Sequence, residues 1–315
     1  MYSPLLSFGI SLSVLVFLTR GKLVGMALDR PNERSLHTSP VPRTGGIAIL
    51  SGILAGWIVL GMTDWTILAG MSLLVCISFL DDLVSMPVVI RFGAHFLASS
   101  IFAGTLLLHS HGLPLTVACV IAVVWMINLY NFMDGSDGLA GGMALFGFGF
   151  YTLAAWLTHD EDFALLNMAV AMSAGAFLFF NFHPARIFMG DSGSTLLGFL
   201  AAAFGLEGWK NGDWPIWFPL MVFSPFIVDS TATLLKRLLR KEKIWQAHKE
   251  HYYQRLIRMG LGHRNTALLE YALMAAAGAS SILAIHHAGL LIAGWGLAFF
   301  LLMRHIDHRW SHFST

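Results

Sequence analysis

The sequence predicts an all-α fold, a polytopic bundle of about eleven membrane-spanning helices forming a single domain over residues 1–315. Three observations carry this. Hydrophobic residues make up 56% of the chain and charged residues 12%, about half the charged share of soluble domains. Apolar segments of spanning length recur from end to end. Every Lys and Arg except Lys210 falls on segments that alternate spans would place on one side, the bias that orients membrane proteins with their positive loops inward.

In order, the spans are 4–20, 45–62, 65–81, 94–110, 114–131, 139–157, 162–180, 193–209, 215–236, 266–286 and 288–304. The first has no basic residue before it and no small-residue cleavage pattern after it, so it reads as a retained helix rather than a signal peptide. Gly-rich stretches such as 138–150 suit close helix packing in lipid. The last two segments admit a ten-span reading or a broken final hairpin. The charge map puts the N-terminus outside. "GMTD", "LTHDED" and "EGWKNGD" are the short outer loops, and nearly all other polar chemistry lies on the inner face. A net charge of +1 points to no nucleic-acid partner, and Cys76 and Cys119, both in apolar runs, read as packing residues.

Three inner-face clusters stand out. In "NLYNFMDGSDG", Asn128 and Asn131 share a helix face, Asp134 follows at the helix end, and Asp137 sits in the next turn. A polar turn is the ordinary explanation, but two amides at the apolar end of a span cost about 1–3 kcal/mol each if unpaired. "FLDDL" sets Asp81 and Asp82 side by side at the end of the third span. Adjacent acids repel unless a proton or cation intervenes, and Mg²⁺ held by one or two carboxylates and substrate phosphates is a common solution. "FMGDSGS" puts Asp191 at a Gly-rich helix start, where free N–H groups favour phosphate. Together they suggest a metal and a diphosphate, and hence an enzyme joining a nucleotide-linked donor to a lipid phosphate.

These stretches resemble the polyprenyl-phosphate N-acetylhexosamine-1-phosphate transferases, glycosyltransferase family 4. "PNERSLHTSPVPRTGG" is similar to the family's first inner loop, "LDDL" to its aspartate pair, and "NLYNFMDGSDGLAGG" and "NFHPARIFMGDSGSTLLG" to its two longest signatures. The match runs from about residue 29 to 265. One departure is visible: in "AHKEHYYQRL", His251 stands where the family's histidine run begins, with Tyr253 and Gln254 in place of the later histidines. This resembles the branch that initiates O-antigen or other surface polysaccharides.

The resemblance implies transfer of a HexNAc-1-phosphate from UDP-HexNAc to undecaprenyl phosphate at the cytoplasmic face of the bacterial inner membrane, with Mg²⁺, or Mn²⁺ in its place. It implies Asp191 as metal ligand, with Asp81 and Asn128 beside it, and Asp81 and Asp82 on the lipid-phosphate side, one of them a base. A phosphate is already mostly ionised near neutral pH, which reduces the need for that base. Asn131 and Asp134 would organise the site. Asn181 would bind the nucleotide or diphosphate, Asp137 would accept from the uracil N–H, and Phe188 would stack on uracil. Arg91 would clamp the lipid phosphate, and Arg43 and His37 would line the phosphate entrance. His251, with His248 as a further candidate, would contact the donor diphosphate, Tyr252 and Tyr253 would shape the sugar pocket, and a homodimer stays open.

Residues 236–265 are expected to form an amphipathic helix lying on the membrane over the site. Asp229, about 12 Å into its helix from Arg237, is either functional or a helix-pairing acid. Two other classes are weighed. A secondary transporter would place its polar site near the bilayer midplane between repeats. An aromatic prenyltransferase would want a second Asp-rich helix motif and would release pyrophosphate rather than UMP.

Overall fold

The computed structural model describes residues 2–20, 28–29, 40–84, 86–243, 248–285 and 288–313. His37 and most of "PNERSLHTSPVPRTGG" lie outside these residues. The described helices are α1 (Ser3–Arg20), α2 (Gly45–Leu60), α3 (Trp65–Val84), α4 (Val88–Met133), α5 (Leu139–Leu157), α6 (Glu161–Asn181), α7 (Gly190–Asn211), α8 (Trp217–Val222), α9 (Ser224–Leu239), α10 (Tyr252–Leu256), α11 (Gly262–Leu283) and α12 (Ala288–Phe313). A two-residue pairing, β1 (Leu28–Asp29) with β2 (Val41–Pro42), precedes α2. Seven helical stretches among the described residues are long and apolar enough to cross a membrane. The chain is therefore an all-α, multi-pass membrane protein.

α4 covers two predicted spans. As a straight rod its 46 residues would run about 69 Å, over twice the roughly 30 Å hydrocarbon core. The helix breaks at Gly112 (φ 77°, ψ 172°), two residues before Pro114. Asn128 Nδ2 lies 3.3 Å from His95 Nδ1, although a continuous helix would hold them about 50 Å apart. The two halves thus lie side by side, and α4 starts and ends at the same end of the bundle. The 215–236 segment is likewise divided, into α8 and α9 at Phe223.

α7 is the axis. Sixteen of its residues are buried, so it faces protein rather than lipid on nearly every side. Its small residues make that possible. A Cβ on Gly46 would fall onto the backbone nitrogen of Gly193, and one on Gly193 would lie 2.8 Å from Gly46 Cα. The starts of α2 and α7 therefore touch backbone to backbone. Around this axis Phe102, Phe148, Phe199 and Phe204 fill the core.

The 236–265 segment does not form the expected surface helix. α9 ends at Leu239, α10 has five residues, and a π-helical turn over Ile257–Leu261 breaks at Gly260 (φ 98°) before α11 begins. Several of its charges are matched within the protein: Arg237 with Glu242 at 2.9 Å, Arg240 with Glu242 at 2.7 Å, and Arg255 with Asp307 at 2.8 Å.

Candidate active site

Backbone hydrogen bonds assemble the site. Phe188 N donates to Pro42 O (2.7 Å), Gly45 N to Phe188 O (2.9 Å) and Gly46 N to Met189 O (2.8 Å). These bonds zip the chain entering α2 to the chain entering α7. Gly190, at φ +73°, lies so close that a Cβ there would sit 3.1 Å from Asp82 Oδ2 and against the Arg43 carbonyl. Asp191 follows as the first acid of α7.

α3 and α4 bring the other groups to the same end. Arg91 Nη1 donates to Asp81 Oδ2 at 2.8 Å and reaches Asp191 Oδ2 at 3.5 Å, so one guanidinium spans two of the predicted acids. Asp82 faces the backbone N–H groups of Asp191 and Ser192. The helix start expected to offer those donors to phosphate thus already has a carboxylate in front of it. A polar chain ties the helices together: Ser78 Oγ to Thr195 Oγ1 (3.0 Å), Thr195 Oγ1 to Asp191 O (2.7 Å), and Asn131 Nδ2 to Ser194 Oγ (2.9 Å). Asp134 ends α4 within the fields of Asp191, Asp82 and Arg43. Burial first, then the negative charges of Asp191 and Asp82, push its carboxyl well above the usual carboxylate range against the opposing pull of Arg43. Arg43 itself is paired with Asp29 at 2.7 Å.

The structure therefore gathers Arg43, Asp81, Asp82, Arg91, Asn131, Asp134 and Asp191. In this group and at the adjoining Ser192, Asp82 Oδ2, Arg91 Nε and Ser192 Oγ are buried without a hydrogen-bond partner, three of the ten such side-chain atoms among the described residues. Buried polar atoms are almost always paired, so an unpaired acceptor and two unpaired hydroxyl or guanidinium groups at one place mark a ligand-binding centre. Oxygen-rich donors of this kind suit a hard divalent cation. No group of three acids, histidines or cysteines stands at metal-binding distance among the described residues, so any such ion would take much of its coordination from phosphate or water. Asn128, predicted at the metal, donates its Nδ2 to Val124 O at 2.7 Å and lies beside His95; these contacts orient the amide and do not involve Oδ1, the atom that would face a cation.

The remaining predicted residues form two neighbouring layers. Asn181 clamps loops, accepting from Gly138 N (2.9 Å) and donating to Ile187 O (3.0 Å). It thereby sets the spacing between the "DGSDG" turn and the segment carrying Phe188. Asp137 Oδ2 accepts from Ala185 N at 3.1 Å and pairs with His183 Nδ1 at 2.6 Å. His263 Nδ1 lies 3.0 Å from Ser136 Oγ, and its ring is parallel to that of His183 at 5.5 Å. Neither histidine is singled out by local sequence; their partners are 46 and 127 residues away.

His251 is buried, its ring stacked 6.2 Å from Phe132 and 4.8 Å from His248. Asp229 fixes it: Oδ1 lies 3.2 Å from His251 Nδ1, and the carboxylate accepts Tyr252 N at 2.9 Å and Tyr253 N at 3.0 Å. Asp229 is thus the pairing acid, capping α10 from a neighbouring helix. Tyr253 Oη donates to Phe132 O at 3.1 Å and Tyr252 Oη to Asp307 at 3.2 Å. Both tyrosines are buried joints of the fold.

Residues 65–208 match the model of glycosyl transferase family 4. A Bacillus subtilis strain 168 protein named "Probable undecaprenyl-phosphate N-acetylglucosaminyl 1-phosphate transferase" is 32% identical, over 78% of this chain and 74% of that protein. The Escherichia coli K12 "Undecaprenyl-phosphate alpha-N-acetylglucosaminyl 1-phosphate transferase" is 28% identical over 98% of this chain and 92% of its own length. The Mycobacterium leprae "Decaprenyl-phosphate N-acetylglucosaminephosphotransferase" is 27% identical over 84% and 79%. With the acids, the zipped helix starts and the multi-pass bundle all in place, the chain belongs to glycosyl transferase family 4.

Proposed function

We propose that the protein transfers HexNAc-1-phosphate from UDP-HexNAc to undecaprenyl phosphate, giving undecaprenyl-diphospho-HexNAc and UMP, and so initiates an O-antigen or another surface polysaccharide in the bacterial inner membrane. The observation carrying this is the unpaired trio Asp82 Oδ2, Arg91 Nε and Ser192 Oγ inside a cluster of four acids and two arginines. Anionic groups need the arginines, and the acids need a cation. A phosphate brought together with a divalent metal satisfies both.

The reaction forms a bond from an acceptor-phosphate oxygen to the donor phosphorus that bears the sugar. It breaks that phosphorus's bond to the bridging oxygen, which leaves on UMP. Asp191 and Asp81 would hold Mg²⁺, which neutralises diphosphate charge when bound. Arg91, already between those two carboxylates, has an unpaired Nε–H to donate to phosphate. Asp82, with one unpaired oxygen, takes the proton of a monoprotonated acceptor. Asn131 and Asp134 keep the end of α4 aligned with α7, and Asp137 and Phe188 face the donor base. His251 reaches the donor diphosphate from the adjoining loop. The test is a panel of UDP-HexNAc donors with undecaprenyl phosphate and Mg²⁺. We expect UMP release with at least one donor. Release of pyrophosphate would favour the prenyltransferase reading, and uptake into vesicles without chemistry would favour transport.

The same reading has eleven spans, an external N-terminus and a cytoplasmic site, supported by the placement of basic residues. An impermeant thiol reagent on intact cells should label Thr63→Cys and leave Lys243→Cys unlabelled until the cells are opened. The opposite pattern would reverse the orientation.

A further inference from the structure

α10 is too short to hold itself together, since isolated helices below about 12–15 residues are marginal in water. Its N-terminal side is fixed by Asp229. Tyr253 ties it to α4 through Phe132 O at 3.1 Å, and its tie to the last helix centres on one carboxylate. Asp307 Oδ1 accepts from Arg255 Nη1 at 2.8 Å, and Oδ2 accepts from Tyr252 Oη at 3.2 Å and from Lys236 Nζ. Arg255 is almost wholly buried, with its guanidinium 5.1 Å from the Tyr252 ring and 5.7 Å from the Trp310 ring. Arg258 also lies over Trp310, at 4.8 Å. α12 has little other purchase: Phe299 and Ile306 are its only buried residues among those described. Its C-terminal turns therefore serve as a strut against the loop that carries His251.

We propose that Asp307 is a positioning residue for the proposed transfer, holding α10 so that His251 keeps its place against Phe132 and the "DGSDG" turn. This rests on the transferase reading for its effect on turnover, but the positioning itself is independent of it. Without Asp307 the buried Arg255 loses its carboxylate and keeps the Glu250 carbonyl at 2.8 Å, with the Glu250 carboxylate at 3.8 Å. These contacts lie within the loop itself and cannot anchor it to α12.

The experiment uses the full chain in nanodiscs. Asp307→Asn should speed amide exchange across residues 251–256 at least tenfold while leaving α5 and α6 unchanged. On the donor that gives UMP, kcat should fall about tenfold with KM changed less than threefold, and Asp307→Glu should recover most of the loss. On a His251→Ala background, adding Asp307→Asn should lower turnover by less than twofold, because the residue it positions is gone. Wild-type exchange in Asp307→Asn, or an equal loss of turnover on both backgrounds, would overturn the proposal. If Asp307→Asn cannot be purified, Lys236→Met removes one of the three donors and should give the same pattern at smaller size; unchanged exchange there overturns it equally. If no donor yields UMP with the wild type, the transferase reading fails, and the exchange measurement still decides the role of Asp307.

Discussion

Asp191→Asn should abolish turnover, a loss of a thousandfold or more in UMP release with normal abundance and insertion. The substitution keeps size and the helix start but removes the charge that makes this acid a partner for a divalent cation. Its backbone carbonyl, which accepts from Thr195 at 2.7 Å, is untouched, so the packing of α7 against α3 survives. The Arg91 contact at 3.5 Å loses its charge, but Asp81 still holds that guanidinium at 2.8 Å. The loss is therefore chemical rather than structural. Mn²⁺ binding followed by paramagnetic resonance should weaken in parallel. Turnover by the wild type in excess chelator, or by Asp191→Asn at a wild-type rate, would remove Asp191 from the metal.

His251→Ala should lower turnover on the preferred donor by roughly ten- to a thousandfold, the range for losing a charge-assisted contact or a transition-state donor. The ring is buried between Phe132 and His248, so the variant also leaves a void beside the "DGSDG" turn. Part of the anchoring of α10 survives, because Asp229 still binds the backbone nitrogens of Tyr252 and Tyr253, while the His251 side-chain cap and its contact with Asp229 are lost. The melting temperature should fall modestly while UMP release falls far more. Purified His251→Ala turning over UDP-sugar like the wild type would place the loop outside the site.

What could be read from the sequence divides along physical lines. Membrane helices announce themselves by local composition, because lipid demands an apolar run of fixed length. The described residues are accordingly mostly helical, with seven stretches among them long and apolar enough to cross, although α4 joins two expected spans and the expected 215–236 span is divided at Phe223. The acids could be read as well, since a carboxylate at the end of an apolar helix is out of place. What could not be read is who meets whom. His183 and Asp137, Asp229 and His251, and Asp307 and Arg255 pair across 46, 22 and 52 residues, and no local pattern specifies such partners. The 236–265 segment misled for a related reason. Its basic residues suggested lipid headgroups, but Glu242, Glu250 and Asp307 pair with Lys236, Arg237, Arg240 and Arg255 inside the fold. Nor did spacing reveal that the Asn128 amide nitrogen bonds back to its own helix.

The zipper between residues 42–46 and 188–189 uses main-chain atoms alone. Its geometry demands glycine at positions 45 and 46, where a Cβ would meet Phe188 O and Gly193 N, but makes no such demand of the side chains at 43 and 188. Sequence divergence can exchange Arg43 or Phe188 for another residue without shifting where Asp191 is delivered. Residues that would choose among donors and residues that fix the acids thus occupy the same few positions without constraining one another. Such an arrangement lets substrate preference drift between lineages while the catalytic end of the bundle is inherited unchanged.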